Sequence, residues 1–110
     1  RLLAQFLQQA GYVSQTAVDG FDGWQRVVDG QRPEVIVTDI EMPIWSGLQL
    51  LQHIKQSPNS SIRRIPIVVC STLQDRDFVA QILSQGASRF LPKPIDLTHL
   101  LEVIVELLEE

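Results

Sequence analysis

Three polar positions in this sequence have types and spacing suited to phosphoryl chemistry: Asp39, the hydroxyl pair Ser71-Thr72, and Lys93. Each follows a short, largely apolar run: Val35-Ile36-Val37-Thr38 before the acid, residues 65–70 before the hydroxyls, and residues 87–91 before the amine. A carboxylate can attack phosphorus as a nucleophile and form an acyl phosphate. The charge spread over the phosphoryl oxygens then needs a fixed cation and hydrogen-bond donors, which Lys93 and a hydroxyl can supply. Taken singly, none of the three is diagnostic. An Asp after a strand also forms turns, a Ser or Thr caps the next helix, and most lysines are solvated cations.

The elements that must position them are legible as runs and periods. Short apolar runs rich in Val, Ile and Thr suit strands covered on both faces, as in a parallel sheet. In open parallel sheets the reactive crevice lies beyond the carboxyl ends of the strands, so the acid, alcohol and amine would share one rim. Leu2, Leu3, Phe6, Leu7 and Ala10 recur at helical spacing, and Gly11 can take the positive φ of a helix end. Residues 12–17 predict a short strand, closed by Asp19-Gly20. Phe21, Trp24, Val27 and Val28 mark a second helix, and Leu48, Leu51 and Ile54 the inner stripe of a third. Residues 57–64 read as a surface loop. Phe78, Val79, Ile82 and Leu83 give a fourth helix ended by Gly86, and Asp96 caps a final one striped by Leu97, Leu100, Leu101, Ile104, Val105 and Leu108. The last strand is more polar and runs into Pro92, which places it at an edge. Alternating strands and helices predict an α/β sheet with right-handed crossovers. The sequence opens inside a helix, and an uncapped Arg1 at its positive end reads as a cut rather than a natural start.

The totals bound the function. With 110 residues, residues 1–110 read as one domain with one core, and 45% hydrophobic with 20% charged residues is ordinary globular composition. A net charge of −4 gives no basic footprint, so direct nucleic-acid binding is not expected. No run is long enough to span a bilayer and no signal peptide is evident, so no membrane association is expected. One cysteine, Cys70, cannot form an internal disulfide and reads as a small buried strand residue rather than a reactive thiol. The expected compartment is the cytoplasm.

Taken in order, Asp39-Ile40-Glu41-Met42-Pro43 with Gly47, a hydroxyl at the end of the next strand, and Lys93-Pro94 resemble the receiver domain of bacterial response regulators. Ala10-Gly11-Tyr12, Asp19-Gly20 and Gly86-Ala87 extend the resemblance over essentially the whole chain. It implies a flavodoxin-like three-layer sandwich with a parallel sheet of order 2-1-3-4-5. It also implies a phosphoacceptor of two-component signalling, with Asp39 charged by a sensor histidine kinase or phosphotransfer protein. Ser71 matches the switch hydroxyl that binds a phosphoryl oxygen, with Thr72 one place later. Lys93 would pair with the phosphate through a cis bond to Pro94, and Phe90 takes the aromatic switch position. Receivers pass the signal to a face made by their fourth helix, fifth strand and fifth helix, a possible homodimer surface. The output domain or partner is not named by these residues. Such a domain is regulatory rather than an enzyme, although it assists its own phosphoryl transfer and hydrolysis.

The sequence departs from the family pattern at its start, because the first strand and its acidic pair are absent from the 110 residues. The family's Mg²⁺ would keep here only the Asp39 carboxylate and the Glu41 backbone carbonyl, short of octahedral oxygen coordination. Loss of that strand would leave the second and third strands about 9.5 Å apart, beyond ladder hydrogen bonding. The expected remedy is upstream residues that carry the strand and the acids; the alternative is a shifted sheet or a segment borrowed from another chain. Glu41 and Leu73 sit at positions that tune hydrolysis in receivers; Glu41 could order a water or repel the dianion. Pro92 stiffens the approach to Lys93. Trp45 reads as a partner contact or a lid over the site, His53 and His99 as exposed and inert, and Glu106, Glu109 and Glu110 as a solvated helix end. Two other classes compete: a pseudo-receiver that signals only through protein contacts, and a haloacid dehalogenase-type phosphatase. The phosphatase would want an Asp where Glu41 stands and a cap insertion that this chain lacks.

Overall fold

The five residues Ile67–Ser71 form β2, and every one of them is buried. Branched side chains on both faces of an extended backbone leave no solvated side, so this strand must be central. In the computed structural model, which describes residues 2–42 and 44–109, β2 is flanked by β1, Ile36–Asp39, and β3, Arg89–Pro92. Both pairings are parallel and the order is β1-β2-β3. Successive residues of β2 point to opposite layers. Ile67 and Val69 pack with Leu51, Ile54 and Ile82, whereas Val68 and Cys70 pack with Leu100, Val103 and Ile104. The result is a sheet between two helical layers, the flavodoxin-like arrangement expected from the sequence. The edge position of β3 is also as expected.

The helices are α1, Leu2–Gln9; α2, Gly20–Val28; α3, Gly47–Lys55; α4, Ser60–Arg63; α5, Arg76–Ser84; and α6, Leu97–Glu109. The starts of α2 to α6 follow from side-chain caps that satisfy otherwise orphaned backbone N–H groups. Asp19 accepts from the Asp22 N–H at 2.8 Å, Asp75 from that of Phe78 and Asp96 from that of His99. Ser46 and Gln49 cap α3 reciprocally. Gly11 takes φ +98° just past α1. Arg1, Pro43 and Glu110 lie outside the described residues, and so do the expectations placed on them.

Two expectations are corrected. Residues 57–64 are not wholly loop: Asn59 caps the short helix α4, and Ile62 is buried beneath it. Residues 12–17 form no strand and pair with nothing in the sheet. Between this unpaired segment and β1 lies a cavity of about 810 Å³. Its walls include Val13, Gln15 and Ala17 on one side and Val35, Val37 and Asp39 on the other, with Leu7 and Ile104 contributing from the α1 and α6 layer. A shifted sheet is thereby overturned, because β1 has not moved over to meet residues 12–17. Val13 is 96% exposed.

Candidate functional site

Parallel register carries the three sequence-selected side chains to one rim. Asp39 pairs in register with Cys70, and Ser71 with Pro92, so Asp39, Ser71 and Lys93 leave adjacent strands at nearly one level. Lys93 Nζ lies 3.0 Å from Asp39 Oδ1, and the Lys93 backbone N–H donates to the Ser71 carbonyl at 3.0 Å. The peptide bond from Lys93 to Pro94 is cis, as the family resemblance implies. The hydrogen bond to Asp39 raises the Lys93 pKa above its ordinary value. An ammonium held charged beside a carboxylate is a fixed cation at the rim of the sheet.

The loop after β1 is held against the rim by close backbone contact. Gly47 N–H donates to the Ile40 carbonyl at 3.0 Å, and a Cβ at Gly47 would collide with the Asp39 carbonyl group. Only glycine lets α3 start this close to Asp39. Ile44 in the same loop takes φ +65°, an uncommon conformation for a β-branched residue.

Ser71 is fully buried and its hydroxyl is already engaged. It donates to Glu41 Oε2 at 2.8 Å and accepts from the Leu73 backbone N–H at 3.0 Å. Sequence reasoning placed Glu41 beside the site but missed this bond. The signal was available, since a Glu two residues past a strand end can reach the neighbouring strand end. Thr72 and Leu73 are exposed, and Phe90 is half-buried against the core layer that holds Leu51 and Ile82. Cys70 is fully buried, and desolvation lifts its thiol from 9.0 to about 11. It is a packing residue, as expected.

Trp45 is half-buried and packs against its own domain. Its ring stacks on His53 with centroids 4.1 Å apart and meets the edge of Phe21 at 5.2 Å, while its carbonyl accepts from Gly20 N–H. His53 is exposed, and its ring also lies 5.5 Å from that of Trp24. His99 is exposed and sits near Glu102. At the helix end, Glu106 lies 3.9 Å from Arg89.

The oxygen donors at the rim do not make a complete Mg²⁺ site. The Asp39 carboxylate is paired with Lys93 and the Glu41 carboxylate with Ser71, and no cluster of three potential ligand side chains occurs among the described residues. Octahedral coordination needs more oxygen than these residues offer.

A parallel flavodoxin-like sheet with an acid, a hydroxyl and a lysine at its carboxyl rim defines the class: an open α/β domain with its polar site at the strand ends. Residues 1–105 match the response regulator receiver domain, and the chain belongs to that family. Among curated relatives, a protein-glutamate methylesterase/protein-glutamine glutaminase of Rhodopseudomonas palustris is 38% identical over 92 residues, covering 81% of this chain and 24% of the relative. The chain thus spans about a quarter of that relative's length. The signal receiver domain of a signal transduction histidine kinase from Syntrophus aciditrophicus superposes with TM-score 0.85 at 29% identity, over 98% of this chain and 80% of that one. The Francisella response regulator 1452 receiver domain shares the fold at TM-score 0.87 and 21% identity, over 98% and 85% of the two chains. As a receiver domain this chain is a regulatory unit of two-component signalling. No helix among the described residues is long and apolar enough to cross a membrane.

Proposed function

We propose that Asp39 is the phosphoacceptor of a receiver domain formed by residues 1–110, charged by a sensor histidine kinase or phosphotransfer protein. The observation that carries this reading is the 3.0 Å pair between Lys93 Nζ and Asp39 Oδ1 at the carboxyl rim of the sheet. An Asp39 carboxylate oxygen attacks the phosphorus of a phosphohistidine, an O–P bond forms, and the N–P bond breaks. The electron pair leaves on the imidazole nitrogen, which takes up a proton from solvent. Lys93 then turns from the carboxylate to the phosphoryl oxygens, and Ser71 supplies a hydrogen bond to one of them. Mg²⁺, the family's cofactor, would find the Asp39 carboxylate and the Glu41 backbone carbonyl here but needs further oxygen donors.

Movement of Ser71 and Phe90 would alter the face made by α5, β3 and α6, where the output partner docks or a second copy pairs. The whole protein is cytoplasmic on this reading. Incubation of the whole natural protein with acetyl phosphate and Mg²⁺ should add one phosphoryl group by mass, and Asp39→Asn should abolish the addition. A folded wild-type protein that gains no Asp39-dependent mass would instead be a pseudo-receiver acting through protein contacts alone.

A further inference from the structure

The geometry points to Glu41 as a positioning residue that holds the Ser71 hydroxyl away from Asp39, so that phosphoryl binding and the Glu41–Ser71 bond exclude each other. This inference rests on the phosphoacceptor reading of Asp39. A serine hydroxyl has one proton to donate. In this structure that proton is committed to Glu41 Oε2 at 2.8 Å, while the Leu73 N–H approaches the same oxygen as a donor at 3.0 Å. Both contacts fix the rotor. With its backbone on a fully buried strand end, tied to Lys93 N–H through the Ser71 carbonyl, Ser71 responds by turning its side chain rather than shifting its chain.

A phosphoryl oxygen at Asp39 therefore competes with Glu41 for a single proton. The competition is reversible because Glu41 is exposed: when the hydroxyl leaves, water replaces it on the carboxylate at small cost. Lys93 belongs to the same rim, with its Nζ 3.0 Å from Asp39 Oδ1. Glu41 thus opposes phosphorylation in two separable ways, through its charge and through its hold on Ser71.

The test is a double-mutant cycle on beryllofluoride binding in the presence of Mg²⁺, read by tryptophan fluorescence on the whole natural protein. Glu41→Ala should tighten binding by about tenfold when Ser71 is present, and by about threefold or less in the Ser71→Ala background, where only the charge effect remains. Glu41→Gln keeps an acceptor without the charge and should fall between wild type and Glu41→Ala. Ser71→Thr keeps the hydroxyl and should preserve the larger gain. Equal gains with and without the hydroxyl would overturn the proposal, as would no gain with Ser71 in place. Absence of any Asp39-dependent binding in wild type would defeat the phosphoacceptor reading instead. The bond itself is then read separately, from urea unfolding of the metal-free, unphosphorylated protein. There Glu41→Ala and Ser71→Ala should be non-additive by at least about twofold in the unfolding constant, and strict additivity would overturn the latch whatever Asp39 does.

Discussion

Two residues at the rim have acid–base behaviour set by their surroundings, and both push stability the same way with pH. Burial lifts the Cys70 thiol from 9.0 to about 11, and Asp39 holds Lys93 above its ordinary value. A folded-state pKa above the unfolded one gives stability that is intact below the unfolded value and is lost as pH rises toward the folded value. The midpoint of urea unfolding should therefore fall between pH 9 and about 11, with Cys70 contributing at most about 1.4 kcal/mol per pH unit. Cys70→Ala should flatten that slope. Asp39→Asn should remove the Lys93 part while changing stability at neutral pH by less than about 1 kcal/mol, because the pair is partly solvated. A melted Asp39→Asn variant would mean that the carboxylate holds the fold together. Native Cys70 should also react with a thiol reagent only on unfolding, which a colorimetric assay with and without urea would read.

At the scale of elements, the loop from β1 to α3 is the part whose geometry is least forgiving. Gly47→Ala would drive a methyl group into the Asp39 carbonyl, where backbone rather than a flexible side chain must move. The expected cost is about 2–4 kcal/mol by urea denaturation, with loss of acetyl phosphate labelling as the loop shifts. Ser46→Ala, which removes one half of a capping box at the same helix, should cost only about 1 kcal/mol. Comparing the two separates crowding at the rim from ordinary loss of a cap. The elements around this loop were legible because their signals are local: branched runs for β1 and β2, Asp96 before α6, Gly11 after α1. Residues 12–17 have equally good strand chemistry, yet a strand exists only where a neighbour accepts its backbone hydrogen bonds, and that neighbour is not encoded in the segment. The same holds for α4, where Asn59 and buried Ile62 act within a stretch too polar to show a helical period. At the site, Asp39, Ser71 and Lys93 could be picked out by residue type and strand end. The Glu41–Ser71 bond joins side chains 30 positions apart and needed the register of β1 against β2 to become visible.

At the scale of the whole molecule, the β1 edge of the sheet faces a cavity among the described residues, and its chemistry specifies what fits there. Ile36 N–H donates to the Pro66 carbonyl and Ile40 N–H to that of Cys70, so by alternation the peptide groups of Val37 and Asp39 face away from β2 and into the cavity. Across that cavity stand the unpaired residues 12–17, and above and below it lie apolar side chains, Leu7 and Ile104 toward one layer and Val27 and Leu50 toward the other. A space bounded by open backbone on both edges and apolar walls on both faces fits one parallel strand with apolar side chains on either side. Whether such a strand comes from the same polypeptide or another, occupancy should order residues 12–17 into the strand that their sequence predicts. A peptide of about six residues, apolar on both faces, added to the 110-residue chain should raise its melting temperature in a concentration-dependent way. It should also slow hydrogen exchange at Val37, Asp39 and residues 12–17 together, since both edges of the inserted strand would pair. A proline at the centre of the peptide removes a ladder donor and should abolish both effects. Protection confined to the helices, with the amides of Val37 and Asp39 unchanged, would mean that the peptide coats the surface and that the cavity takes no strand.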